Sequence, residues 1–432
     1  MGVTIKETAC SGCRPAAPRT GPNRALRLAA PVVTGAALVL TLSATATSAG
    51  AATGTPARPV ATGTAARPAA APPPVTILKP GANNANGDIF IAPRGGGYPS
   101  GPEILTRTGK VVWFHPLPAG HIATDFRAQT YLGRPVLTWS QGPELVGPTG
   151  GTDYIYNDHY QRIATVKAGR GFRTNLHEFL ITPWNTALIL AQKPAIANLT
   201  SIGGPADQKV TDGIVQEINI KTGRVIFQWN PVGHVPFSDS HTPLPASATT
   251  AWDWFHINAV HLDTDGNLLI SSRFTWTTYK VSLSTGKIKW ELGGRQSTFR
   301  LKAAAGQVLD QAGEIFAYQH DPEGAGNGTY TFMDDESNGT TSELGYSRVV
   351  TVRLNLTTKA ATLVKSITQP EGLLTGAEGN AQTARNSDLF VGWGALPYFS
   401  EFSPSGRLLF NARFPRGVTT YRAYRLPWNP GN

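Results

Sequence analysis

From Thr106 the chain reads TRTGKVVWFH, and the phrase returns as IKTGRVIFQW from Ile220, LSTGKIKWEL from Leu283 and SPSGRLLFNA from Ser403. Each copy is a polar turn carrying Gly and a basic residue, followed by a β-rich apolar run. That is the pattern of a hairpin whose Gly takes a positive φ at the turn. Two looser copies, YNDHYQRIATV from Tyr156 and LNLTTKAATLV from Leu354, fill the gaps and make six units at intervals of about 50 to 70 residues.

Ahead of the hairpins runs a second recurring phrase, a polar residue at the head of a strand, a short turn, then an apolar run. It reads DFRAQTYLGRPVLTWS from Asp125, HEFLITPWNTALILAQ from His177, HINAVHLDTDGNLLISSR from His256, HDPEGAGNGTYTFMDD from His320 and GNAQTARNSDLFVGWG from Gly379, with an abbreviated version, NNANGDIFIAP, from Asn83. Two hairpins per unit give four strands, and that period with four strands predicts the blades of a propeller. The expected fold is therefore an all-β, six-bladed propeller over residues 75–432. The tail TTYRAYRLPW from Thr419 has no hairpin of its own and is expected to pair into the first blade, closing the ring and removing its open edges. Low charge, abundant Gly and Trp, and the lack of any long stretch of period 3.6 agree with an all-β chain.

Residues 1–51 read as a signal peptide. Arg14, Arg19, Arg24 and Arg27 precede an apolar stretch from Leu28 to Leu42, and Ala49-Gly50-Ala51 suits signal peptidase. A secreted or extracytoplasmic protein is expected, with an uncleaved N-terminal anchor as the lesser alternative. Cys10 and Cys13 lie in the leader, so the mature chain would hold no thiol. Residues 52–74, rich in Ala, Pro and Thr, read as a disordered linker. Loss of the leader lowers the formal charge from +10 to +6, without the clustered Lys/Arg runs that nucleic-acid binding needs.

His177, His256 and His320 occupy the same place in three successive repeats. Equivalent positions in a closed ring converge on the axis, so the three are expected to face one space. Asn258 lies two residues beyond His256 on the same strand and therefore on the same face, and the returning strand brings Arg273 back toward His256. Three histidines can ligate zinc, copper or iron. Arg273 points instead to an oxyanion, since a guanidinium repels a divalent cation and forks onto a tetrahedral anion.

These residues resemble the arylsulfotransferases, a family of six-bladed propellers that take aryl sulfate esters as donors and need no nucleotide cofactor. The resemblance spans the mature chain and is most specific in the HxN pair of His256 and Asn258, in Arg273, and in the HD dipeptide of His320 and Asp321. It implies a ping-pong transfer of a sulfuryl group from a phenolic sulfate ester to a phenolic acceptor, with His320 as the nucleophile that becomes a sulfohistidine. His256, Asn258, Arg273 and His177 match the family's remaining site residues. No cofactor and no metal are implied. Larger members carry an additional N-terminal β domain and paired cysteines, which this mature chain lacks.

Trp252, Trp254, Trp276 and Trp393 are candidates for lining a ring-binding pocket, with inter-blade packing as the competing reading. Asp321 or a backbone carbonyl is a candidate for orienting His320, and Asp321 is equally a turn residue before Pro322. The segment 230–250 reads as a solvated rim loop, and Asp334-Asp335-Glu336 as a solvated acidic turn with a structural calcium as the alternative. Two other function classes fit parts of the sequence. One is a non-catalytic extracytoplasmic binding or scaffold propeller; the other is a metal- or quinone-dependent propeller enzyme, of which the quinone-dependent dehydrogenases share the TGKxxW phrase but usually need eight blades.

Overall fold

The computed structural model describes residues 71–81, 87–144, 150–384 and 386–430. The expected signal peptide, its two cysteines and residues 52–70 of the linker lie outside the described residues. Within them there is no α-helix, only the 3₁₀ turns Thr200–Ile202 and Phe237–Asp239 between strands.

Six antiparallel sheets form the six blades of a propeller. Blades two to six begin with the inner strands His121–Tyr131, Arg173–Ile181, Ile257–Leu262, His320–Gly326 and Asn380–Thr383. Blade one begins instead with the C-terminal strand Val418–Leu426, which pairs antiparallel with Asp88–Gly95 as the tail was expected to do. The first described strand, Thr76–Lys79, joins Leu408–Arg413 at the outer edge of blade six, so the ring is tied at this edge as well as at blade one. Blade five also has a fifth strand, Arg300–Ala303, parallel to Ala360–Thr368.

The repeated turn phrases do what their residues suggest. Gly109, Gly223, Gly286 and Gly406 sit at φ 81, 70, 70 and 85°, and the two copies without Gly place Tyr160 and Lys359 in the same left-handed region.

The core is divided among the gaps between blades. Each blade is covered on both faces, so its strands read as continuous apolar runs whose successive residues serve opposite neighbours. In Asp88–Gly95, Ile89 and Ile91 pack with Phe390 and Phe410 of blade six, while Phe90 and Ala92 pack with Phe126 and Trp139 of blade two. Leu188 and Leu190 likewise face blade four while Ala187 and Ile189 face blade two. Those packed faces hold the six inner strands around one axis.

Candidate active site

Regular pairing fails where the inner strands approach the axis. The register shifts in blade two between Thr124 and Arg127, in blade three around His177, in blade four between Ile257 and Ala259, in blade five between His320 and Glu323, and in blade one opposite Ile91 and Pro93. Such bulges re-aim side chains, and they cluster near functional sites. Asp125, His256, Asp321 and Glu378 hold left-handed φ values of 51, 47, 50 and 73°, each a conformation costing on the order of 1 kcal/mol for a residue with a Cβ.

This irregular layer brings the three predicted histidines together. The rings of His177 and His256 meet edge to face at 5.3 Å, and Tyr421 of the closing strand lies 5.6 Å from His177 and 6.5 Å from His320. Each Nδ1 faces a side-chain oxygen: Oδ1 of Asn175 for His177, Oδ2 of Asp253 at 2.5 Å for His256, and Oδ2 of Asp335 at 2.9 Å, in a bent contact, for His320. Nε2 is thus the free nitrogen of His177 and of His256. At His320, Nε2 accepts the Glu378 backbone N–H at 3.3 Å, which assigns the proton of the neutral ring to Nδ1. Burial, with Arg273, His177 and His256 nearby, holds the imidazole of His320 well below its usual titration range. Burial, then His256 and Arg422, does the same for His177. Both are neutral at neutral pH. Burial also raises the carboxyl of Asp335 well above the ordinary range, against the pull of Arg273.

Arg273 arrives as expected, on the residue after strand Leu268–Ser272, its backbone N–H donating to His256 O at 3.0 Å. Its Nη2 donates to Gly376 O at 2.5 Å and Ser337 O at 3.3 Å; Nε is buried with no hydrogen-bond partner among the described residues. Phe274 and Tyr318 flank the guanidinium at 5.2 and 5.4 Å, and Phe274 also packs 4.8 Å from His256.

Asn258 is fully buried and does not share His256's face by simple alternation, because His256 is left-handed and the ladder shifts between Ile257 and Ala259. It donates from Nδ2 to Gln319 O at 2.7 Å and so anchors the backbone immediately before His320. Of the four tryptophans, Trp252 and Trp254 are core residues between blades three and four, and Trp393 is core between blades five and six. Trp276 reaches the site only through Tyr318, at 5.1 Å, with His241 stacked on its other side at 3.7 Å. Phe274 and Tyr421 border the histidines, and Tyr318 borders Arg273.

Three expectations are corrected. Asp335, and not Asp321, faces the ring of His320; Asp321 accepts from His261 Nε2 at 3.2 Å and from the Ala381 backbone N–H at 3.0 Å. Asp334, Asp335 and Glu336 are fully buried, Asp334 and Glu336 holding Arg348 at 2.8 and 2.9 Å, so the turn is not solvated. The loop at 230–250 is docked at its middle, with Asp239 buried and Phe237 4.5 Å from Trp254.

Below the histidines the axis is filled with charge. Arg422 forks onto Glu178 at 2.9 Å and reaches Asp125 at 3.1 Å; Arg127 pairs with the same two carboxylates, and Tyr424 donates to Asp125 at 2.7 Å. Glu178, His261 and Asp321 are the one trio among the described residues whose potential metal-ligand atoms all lie within 4.8 Å of one another. Their carboxylates already hold Arg422, so a cation there would meet a guanidinium. The three upper histidines are spaced more widely. A cavity of about 540 Å³ opens beyond the charged layer, lined by Arg127, Glu323, Gln382 and Tyr424, and is separate from the histidines.

A model of the arylsulfotransferase family matches residues 127–415. The chain belongs to that family. The match spans blades two to six, so Tyr421, contributed by blade one, comes from outside it. Among solved structures, a Bacteroides caccae protein of unknown function is 14% identical with a TM-score of 0.45, over 78% of this chain and 98% of that one. Staphylococcus aureus virginiamycin B lyase is 8% identical with a TM-score of 0.36, over 78% and 87% of the two chains. No curated protein matches the chain.

Proposed function

We propose that this arylsulfotransferase-family chain moves a sulfuryl group from an aryl sulfate ester to a phenol through a covalent intermediate on Nε2 of His320, and that it does so outside the cytoplasm after loss of residues 1–51. The observation that carries the reading is the setting of His320: a buried imidazole whose Nε2 accepts the Glu378 N–H, close to an arginine whose Nε has no hydrogen-bond partner among the described residues. A neutral imidazole nitrogen is a competent nucleophile and a good leaving group once sulfated. Sulfuryl transfer, like phosphoryl transfer, has a loose in-line transition state, so the protein's contribution is position and charge on the equatorial oxygens. Arg273 supplies the charge. The Glu378 backbone N–H, which caps Nε2 at rest, is placed to move onto a sulfuryl oxygen as the N–S bond forms. Phe274, Tyr318 and Tyr421 offer faces for the aryl ring.

The test is intact mass after brief mixing with 4-nitrophenyl sulfate and no acceptor. A gain of about 80 mass units that disappears on adding phenol is expected for a sulfated nucleophile, and its absence in His320→Ala locates it. No gain with several aryl sulfates, or an equal gain in His320→Ala, rejects the assignment.

A further inference from the structure

The three histidines differ in what holds them. The Asn175 amide behind His177 is fully committed, its Nδ2 donating to Gln192 Oε1 at 2.9 Å and its Oδ1 also accepting the His177 backbone N–H at 3.0 Å. A neutral amide favours a second proton on imidazole far less than a carboxylate does. Asp335 behind His320 is a carboxyl sealed from water, 0% exposed, in a pocket that disfavours charge on either partner. His256 alone among the three has a hydrated carboxylate on Nδ1: the side chain of Asp253 is 40% exposed, and that of His256 is 25% exposed. This is the side of the site where a proton can be exchanged with solvent.

We propose that Asp253 is the positioning carboxylate of a proton-transfer dyad with His256, which protonates the aryl oxygen as the donor ester breaks. The inference rests on the sulfuryl-transfer reading above. In the first half-reaction Nε2 of His320 attacks sulfur and the N–S bond forms. The S–O bond to the aryl group breaks with its electron pair going to oxygen, and the Nε2–H of the His256 imidazolium supplies the proton, leaving His256 neutral. In the second, that Nε2 takes the proton of the incoming phenol as its oxygen attacks sulfur, and the N–S electron pair returns to His320. Asp253 touches neither substrate nor sulfur. It fixes the Nδ1–H tautomer and balances the imidazolium. The charged and titratable groups around His256 are Asp253 on its own segment, Arg273 from the same blade, His177 from blade three and His320 from blade five. Asp253 is the anion among them that contacts the His256 ring, so removing it leaves the imidazole near the Arg273 guanidinium without its carboxylate partner.

The experiment compares phenyl sulfate, whose leaving phenoxide needs a proton, with 4-nitrophenyl sulfate, whose leaving group does not, in wild type, Asp253→Asn and Asp253→Glu. Positioned proton transfer contributes about 10²- to 10⁴-fold, so Asp253→Asn is expected to lower kcat/KM about 30-fold for phenyl sulfate and less than about 3-fold for 4-nitrophenyl sulfate. Asp253→Glu should recover most of the loss, and the alkaline limb of the phenyl sulfate profile should move to lower pH in Asp253→Asn. Equal losses on both donors, no recovery with Glu, or an unmoved pH limb overturns the proposal and leaves Asp253 a structural residue. Failure of the underlying reading looks different: wild-type protein then gains no mass with either donor.

Discussion

His177 and Glu178, His320 and Asp321, Tyr421 and Arg422 are neighbours in the chain, yet each pair divides between two layers of one channel built on opposite electrostatic terms. In the lower layer every carboxylate named above meets a guanidinium or an imidazole. Three carboxylates, two guanidinium groups and His261 balance in charge when that imidazole is protonated, and Glu178 with Asp321 raises its titration against the effect of burial. In the upper layer His177 and His320 are kept neutral, and Arg273 Nε lacks a hydrogen-bond partner among the described residues. Bulges at the axis let consecutive residues serve both layers. The lower layer is a completed structure, and the upper one has groups left over for a ligand.

If that division is right, mutations one residue apart should fail in different ways. The largest effect is expected for His320→Asn, which keeps most of the side-chain volume but removes the nucleophilic nitrogen. Transfer should fall by about 10⁴-fold or more, the scale on which loss of a nucleophile is felt, with little change in unfolding free energy. Arg422→Met should do the converse. It strands Glu178, Asp125 and Asp321 in the interior, and breaking a buried pair in this way costs about 3–5 kcal/mol, readable by denaturant unfolding. A cost under about 1 kcal/mol would mean the lower layer is not held by its ion pairs. Arg273→Met comes next. Losing one preorganised cation at a developing oxyanion should lower kcat/KM by about 10²- to 10³-fold, while the carbonyls it leaves belong to the residues of loops and the fold should persist.

How much of this was readable in advance depended on whether the repeat carried it. The hairpin phrases located all six blades because turn chemistry and apolar runs are local. The histidines were readable because three repeats begin with the same residue. Asp335 was readable by the same logic and was missed: it follows strand Thr329–Asp334 just as Arg273 follows Leu268–Ser272, the equivalent place one blade on. Three acids in a row suggested water, whereas Arg348 and His320 bury them. Asp253 was hidden because its reach to His256 goes with a left-handed φ at His256, which no propensity favours. Tyr421 enters only once the closing strand lines the axis. The tryptophans went the other way: propeller faces are apolar on both sides, so a Trp beside a site motif is still usually core.

The smallest effect is also the one that separates the layers most directly, because their histidines titrate in opposite senses. His320 and His177 have depressed folded values, so the stability they contribute is present above the ordinary imidazole value near 6.5 and is lost as pH falls below it. His261 has a raised folded value, so its contribution is present below that ordinary value and is lost as pH rises through the folded one. Glu178 and Asp321 are both held below the ordinary carboxylate range by Arg422 and His261 and stay ionised across this window. Unfolding free energies of wild type, His320→Asn and His261→Asn measured from pH 8 to pH 5.5 should therefore diverge. Relative to wild type, His320→Asn should gain as the solution is acidified, by up to about 1.4 kcal/mol per pH unit, and His261→Asn should lose. Parallel slopes in the two variants would mean that the channel titrates as one unit, and the distinction between a finished layer and an open one would have to be given up.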